Sequence, residues 1–268
     1  RLPIRTVQDN PVYAGLVESM DDAVGVVLER LKKLGLEDNT LILFTSDNGG
    51  VASGDAFSTS NFPLRGGKGY QWEGGIREPY LIKAPMMENT PKSVEYPVSG
   101  IDLYPTLLDL VGVKKDPNQI IDGVSLVPLL EGKSLSERPL FWHYPHYGNQ
   151  GGDPVSIIRR GNYKLIHYWE DGHDELYHLK EDVGEENNII KEKAEIARSL
   201  RSELDAYLTG VDAKTPHPYP KYDQDMAAEQ QKSRKTEMLP RLEQQRKDFL
   251  NKDFKPNDDW YNSSLTKD

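Results

Sequence analysis

Residues 41–50 read LILFTSDNGG, and the way this run ends decides the fold. Four consecutive apolar residues suit a strand covered on both faces, as in a parallel sheet with helices on either side. Asn48-Gly49 is also a strong hairpin signal. A hairpin needs an alternating strand after its turn, and the following VASGDAFSTSN offers none. The other reading is a strand that delivers Asp47 and Asn48 just beyond its carboxyl end, where ligands sit in open α/β sheets. Successive strand side chains point to opposite faces, so both reach one ion only where the backbone bends, and Gly49-Gly50 permits a bend. A carboxylate and an amide oxygen are hard donors that suit Ca²⁺ or Mg²⁺. A structural turn or cap remains the competing reading. An EF-hand loop does not fit, because no acidic residue follows at the twelfth position.

Upstream, Asn10-Pro11 reads as an N-cap with proline in the first helical turn. From there Val12, Leu16, Met20, Val24, Val27, Leu31 and Leu34 recur at steps of three and four, predicting a helix of about six turns that stops at Gly35. Asp21 and Asp22 fall off that stripe and read as a solvated face. A helix leading into a buried strand is half of an α/β unit. Downstream, residues 50–79 lack periodicity and are dense in glycine, and a loop this long in a globular domain is functional or disordered. Tyr70, Trp72 and Ile76 argue for order. Gly66, Gly67 and Gly69 frame Lys68 in backbone able to approach a ligand. It is no Walker loop, since neither the preceding glycine spacing nor a following Ser or Thr is present. A solvated loop lysine is the plain alternative. A cation held near a divalent metal is what an oxyanion site needs. A strand at 80–83 and a helix at 103–111, capped by Asp102 and stopped at Gly112, follow.

Short strands are predicted at 139–144, 156–160, 163–169 and 175–179, with a hairpin at Gly161-Asn162. Ile196, Leu200, Leu204 and Tyr207 mark a closing helix that ends at Gly210. Residues 214–222 are a Pro-rich connector, and 225–252 read as a polar, Gln-rich helical stretch interrupted at Pro240. The expected organisation is an α/β part over 1–135, a small α+β subdomain with an antiparallel sheet over 136–210, and a connector with helical tail over 211–268. His143 and His146 stand three apart, but Pro145 opposes helical presentation and no third ligand lies nearby. For this pair a structural role and a substrate contact both stay open. His167, His173 and His178 read as surface or packing residues.

The net charge is −10. From residue 211 onward 11 basic and 11 acidic residues cancel, so the first 210 residues, with 22 basic and 32 acidic, carry all of it. Nucleic acid and anionic membrane surfaces need a basic footprint, so neither is the expected partner. No apolar run reaches the length of a membrane span. The absence of cysteine removes disulfides, thiolate metal sites and thiol nucleophiles.

TLILFTSDNGG followed by LRGGKGYQWEGGIREPYLIKAP resembles the formylglycine-dependent sulfatases of the alkaline-phosphatase superfamily. PVYAGLVESMDDAVGVVLERLKKLGL, SGIDLYPTLLDLVGV and DGVSLVPLLEGK are similar to that family in its order. So is FWHYPHYGNQGG with IIRRGNYKLIHYWEDGHDELYHL, and the resemblance covers roughly residues 10–210. It implies the C-terminal part of an alkaline-phosphatase-like sheet flanked by helices. It further implies that Asp47 and Asn48 ligate a catalytic Ca²⁺, and that Lys68 contacts sulfate oxygens and offsets charge on the leaving ester oxygen. Arg65, His143 and His146 become candidate substrate contacts, and Arg77 a structural residue. The implied substrate is a sulfated carbohydrate or aryl sulfate, and the implied location periplasmic or secreted.

The family's nucleophile is a formylglycine made within C/S-x-P-x-R, and the P-x-R of NFPLR places Asn61 at that position, which reads as coincidence. The chain is therefore expected to be a C-terminal half, inactive alone. Two other readings remain: a phosphoesterase of the same superfamily, disfavoured because no His precedes residue 141, and a non-catalytic relative that binds sulfated glycans.

Overall fold

Asn10 starts the first helix as its sequence predicts. Its side-chain oxygen accepts from the backbone N–H groups of Val12 and Tyr13 at 3.0 and 3.2 Å, and α1 runs Pro11–Lys33. A computed structural model describes residues 3–53, 57–85, 87, 93–148, 150–218, 220 and 223–255; the sequon Asn262-Ser263-Ser264 lies outside them. The apolar stripe of α1 buries none of its residues among those described: Leu16 is 63% and Val27 59% exposed. Asp21 and Asp22 are solvated, as their position off the stripe requires.

β1 (Ile42–Thr45) leads into the glycine-dense loop, which contains the single-turn α2 (Glu73–Ile76), and then into β2 (Tyr80–Lys83). The two strands pair antiparallel, Ile42 opposite Lys83 through Thr45 opposite Tyr80. The parallel partner expected for 41–44 is thus not the one this pair supplies, and Leu41 to Phe44 are half-buried. An unbroken apolar run specifies cover on both faces; it does not specify the direction of the neighbouring strand.

After β2 come α3 (Leu103–Leu110) and the one-turn α4 (Val127–Leu130). Asp102 does not cap α3 through its side chain, contrary to the expectation. Fully buried, it accepts from the N–H of Ser99 at 2.8 Å and of Val124 at 3.0 Å, and it pairs with Arg138. One carboxylate joins three separated segments, a use that local capping rules cannot reveal.

β3 (Pro139–Tyr144), β4 (Val155–Arg160), β5 (Tyr163–Tyr168) and β6 (Asp174–His178) form one antiparallel sheet in sequence order. Its alternating residues feed two cores. Val155, Ile157, Ile166, Tyr168 and Tyr177 face Tyr70 and Trp72 of the glycine-dense loop. Ile158, Leu165 and Leu176 face Leu200, Leu204 and Leu208 of α5 (Ala194–Gly210). The central strands read as apolar on both sides because loop and helix each cover one face. Burial of Trp72 to 1% makes Trp72→Ala worth about 3–5 kcal/mol.

The tail forms α6 (Gln224–Ser233), a π-type turn at Arg234–Met238, and α7 (Leu239–Phe249) with Pro240 in its first turn, where the sequence places the interruption. α7 sets Glu243 2.6 Å from Arg5 and Arg246 3.0 Å from Asp9, tying the tail to the segment before α1.

An exposed apolar helix face of this length is an association liability. The chain expressed by itself is expected to self-associate, and Leu16→Glu with Val27→Glu to shift it toward monomer in analytical ultracentrifugation. A monodisperse, cooperatively melting parent chain would contradict this.

Candidate active site

The bend after β1 is built by backbone contact rather than by side chains. Gly49 donates its N–H to the Gly75 carbonyl at 3.2 Å, and any side chain at 49 would overlap the Gly74 carbonyl. No hairpin forms here. Lys68 donates its backbone N–H to Gly50 O at 3.1 Å, so the loop bearing Lys68 lies directly against the loop bearing Asp47 and Asn48. Asn61 locks the junction: its amide oxygen accepts from Gly50 N–H at 3.1 Å, and its amide nitrogen donates to Gly50 O at 2.9 Å and Gly66 O at 3.0 Å. The residue at the apparent nucleophile position is therefore a strut.

Asp47 is exposed and Asn48 half-buried; the Asn48 amide nitrogen donates to the Asp47 carboxylate. Glu78 has a buried carboxylate oxygen without a hydrogen-bond partner among the described residues, and its pKa is pushed up to about 7, first by burial and then by the negative charge of Asp47. This is an anionic corner that a cation would relieve, and its donors are hard oxygens. Among the described residues no cluster of three or more His, Cys, Asp or Glu side chains forms, so the pair fits part of a divalent-cation site.

Lys68 is exposed and makes no side-chain ion pair or hydrogen bond among the described residues. Arg77 is likewise exposed; its backbone N–H closes α2 on the Glu73 carbonyl at 2.8 Å, and its guanidinium makes no hydrogen bond or ion pair among the described residues. Arg65 is committed to the fold. Its guanidinium stacks on the Trp72 ring at 3.7 Å and donates to Glu185 O at 2.6 Å. Beneath the loop Lys164, fully buried, lies 3.1 Å from Glu73 and 2.8 Å from Glu185, while Arg159 approaches Glu73 at 3.4 Å. Glu185 also accepts the N–H that opens α2. Burial pushes the Glu185 carboxyl above the usual carboxylate range, against the pull of Lys164. Burial likewise lowers the Arg159 guanidinium.

Both ring nitrogens of His143 are engaged, with Ser156 Oγ at 2.7 Å and Lys214 O at 2.9 Å. His146 is exposed, edge-on to Tyr144, in a loop that returns to the Lys68 segment. There Gly152 packs on the Gly69 carbonyl so closely that a side chain at 152 would overlap it. His146 and Lys68 therefore belong to neighbouring loops, and His143 anchors β3.

Residues 67–210 match the family described as N-sulphoglucosamine sulphohydrolase, C-terminal, and residues 4–113 match the family described as Sulfatase. This chain belongs to the sulfatase family. It is similar to a sulfatase of Formosa agariphila, at 36% identity over 79% of this chain and 43% of that protein. Human steryl-sulfatase is 40% identical over 50% of this chain and 24% of its own length. Ps i-CgsB in complex with κ-ι-κ-neocarrahexaose superposes with a TM-score of 0.65 at 27% identity, over 88% of this chain and 50% of that one. The chain thus spans half or less of the length of each of these relatives. The solved sulfatases bear out the alkaline-phosphatase-like α/β architecture. Among the described residues no helix is long and apolar enough to cross a membrane.

Lys164, Glu185 and Asn61 carried no recognisable signal in the sequence. Lys164→Met, which leaves Glu185 without its cation and Glu73 with Arg159 alone, is expected to cost about 3–5 kcal/mol in urea unfolding. An unchanged midpoint would show that the cluster does not hold the loop.

Proposed function

We propose that this chain supplies the C-terminal part of the active site of a sulfuric ester hydrolase that cleaves sulfate from a sulfated carbohydrate. The observation that carries this reading is the backbone lacing of the Lys68 loop to the Asp47–Asn48 bend, which brings an unpaired ammonium and two oxygen donors out of one junction. Asp47 and Asn48 would hold a divalent cation, Ca²⁺ in preference to Mg²⁺, because two adjacent donors with Glu78 nearby suit a large, tolerant shell better than a strict octahedron. When bound, that ion supplies positive charge at the reacting ester. Lys68 binds the sulfate oxygens and offsets the charge that develops on the departing ester oxygen. Gly67 and Gly69 let the substrate come close to the Lys68 backbone. His146 contacts the substrate from the adjoining loop. Arg65 and His143, whose polar groups are taken up within the fold, position those loops.

The nucleophile of this reading is a formylglycine, for which residues 1–268 offer no C/S-x-P-x-R source. A carbohydrate substrate is favoured by the saccharide in the Ps i-CgsB complex and by the small subdomain beside Lys68. Sulfated polysaccharide is met outside the cytoplasm, so the reading carries a periplasmic or secreted location. Functional boundaries follow the same division: 1–135 for the cation and sulfate, 136–210 for the sugar, and 211–268 as a brace on the N-terminal segment.

In the full-length protein, Lys68→Ala is expected to lower sulfate release from a sulfated oligosaccharide by about 100-fold or more, the scale of losing one charge-stabilising group. Asp47→Ala is expected to do the same and to weaken Ca²⁺ binding in calorimetry. Retained turnover in either variant overturns the role given to that residue.

A further inference from the structure

A cavity of about 290 Å³ opens between the Lys68 loop and the edge of the second sheet, lined by Gly69, Gln71, Ile76, Trp142, Tyr144 and Asp153 among others. We propose that this cavity is a subsite for an uncharged sugar ring next to the sulfated one; the proposal rests on the carbohydrate sulfatase reading above and extends it.

Position is the first argument. Gly69 follows Lys68 directly, so a sugar chain whose sulfate lies on Lys68 has its neighbouring ring beside this opening. Chemistry is the second. Trp142 and Tyr144, on alternate residues of β3, share one face of the strand and offer aromatic surface to the positively polarised C–H groups of a pyranose. Val155 and Ile157 complete an apolar wall.

The decisive group is Gln71, only 4% exposed. Its amide nitrogen donates to Tyr168 Oη at 3.0 Å and faces Asp153 Oδ2 at 3.4 Å. Tyr168 gives its own proton to Glu175 at 2.6 Å, so its oxygen is left as an acceptor toward Gln71. Turning the amide over would set its oxygen against that acceptor and against a carboxylate. The orientation is therefore fixed by chemistry. Gln71 Oε1 is then a buried acceptor with no partner among the described residues. A hydroxyl donor from a ligand supplies what it lacks.

The same lining explains why the ring is uncharged. It contains no Lys or Arg, it includes the Asp153 carboxylate, and both nitrogens of His143 are already bonded. A second sulfate would find no Lys or Arg among the described residues of that lining. A purely apolar group would fill the wall and leave Gln71 Oε1 unsatisfied.

The test is calorimetric titration of the full-length protein with chemically desulfated neocarrahexaose, which has no group for Lys68 to bind. Saturable binding is expected, weakened about tenfold by Gln71→Met, which keeps the shape and removes the acceptor. Trp142→Phe, which keeps the packing and shrinks the platform, is expected to weaken it severalfold. Melting curves of both variants, each expected to show one cooperative transition above the titration temperature even where the lost Gln71–Tyr168 bond lowers the midpoint, separate lost binding from lost folding. No saturable binding, or parental affinity in a folded Gln71→Met protein, overturns the subsite. Displacement of the sugar by 4-nitrophenol with equal affinity in parent and Gln71→Met overturns it too, by assigning the cavity to an apolar group. Sulfate release from sulfated neocarrahexaose, measured separately on Lys68→Ala, tests the hydrolase reading without reference to Gln71.

Discussion

Glu73, Lys164 and Glu185 meet where no solvent reaches, exposed by 1%, 0% and 0%. They come from the glycine-dense loop, the start of β5 and the stretch after β6. Burying charge is costly, and apolar side chains of equal volume often do as well for stability. What the ions supply is register. A loop with so few side chains cannot choose one packed arrangement by shape alone, whereas Lys164 accepts its two carboxylates in one place only. Removing Lys164 strands Glu185 and leaves Glu73 only the longer contact to Arg159. Arg65 repeats the logic on the other side of the loop, stacked on Trp72 and bonded to the Glu185 carbonyl.

That clamp also shapes the electrostatics above it. Two cations, Lys164 and Arg159, sit with two anions, Glu73 and Glu185, so the interior of the clamp is formally neutral. At the mouth lie side chains that form no ion pair among the described residues. On one side stands Lys68; on the other stand Asp47 and Glu78, close enough that Asp47 raises the Glu78 pKa. Among the described residues the clamp pairs its charges, whereas Lys68, Asp47 and Glu78 form no ion pair.

Much of this was legible because the signals are local. Asn10-Pro11 dictates a helix start, Gly161-Asn162 a hairpin, and the 196–207 periodicity a helix, each decided within a few residues. The resemblance to sulfatases rested on equally local motifs and supplied the roles expected of Asp47, Asn48 and Lys68. The missing parts depend on long-range pairing. Lys164 in YKLIHY reads as an ordinary strand lysine, since its partners lie 91 residues before it and 21 after. Asn61 was dismissed on motif grounds, although three hydrogen bonds make it the strut of the site. Asp102 looked like a helix cap because its true partners, Val124 and Arg138, are distant in sequence. The antiparallel pairing of β1 with β2 was hidden for the same reason: hydrophobic content records burial, and direction is set by the chain's return path.

The choice of lysine at position 68 follows from how that loop is held. Its backbone N–H is bonded to the Gly50 carbonyl and its glycine neighbours pack closely, while its side chain makes no hydrogen bond or ion pair among the described residues. An arginine there would present a flat fork suited to one bidentate geometry. A lysine presents a compact point charge on a flexible four-carbon stem. The cost is rotamer entropy, up to about 2 kcal/mol when the stem is fixed. Because the loop backbone is held by its own contacts, that cost falls on a single side chain.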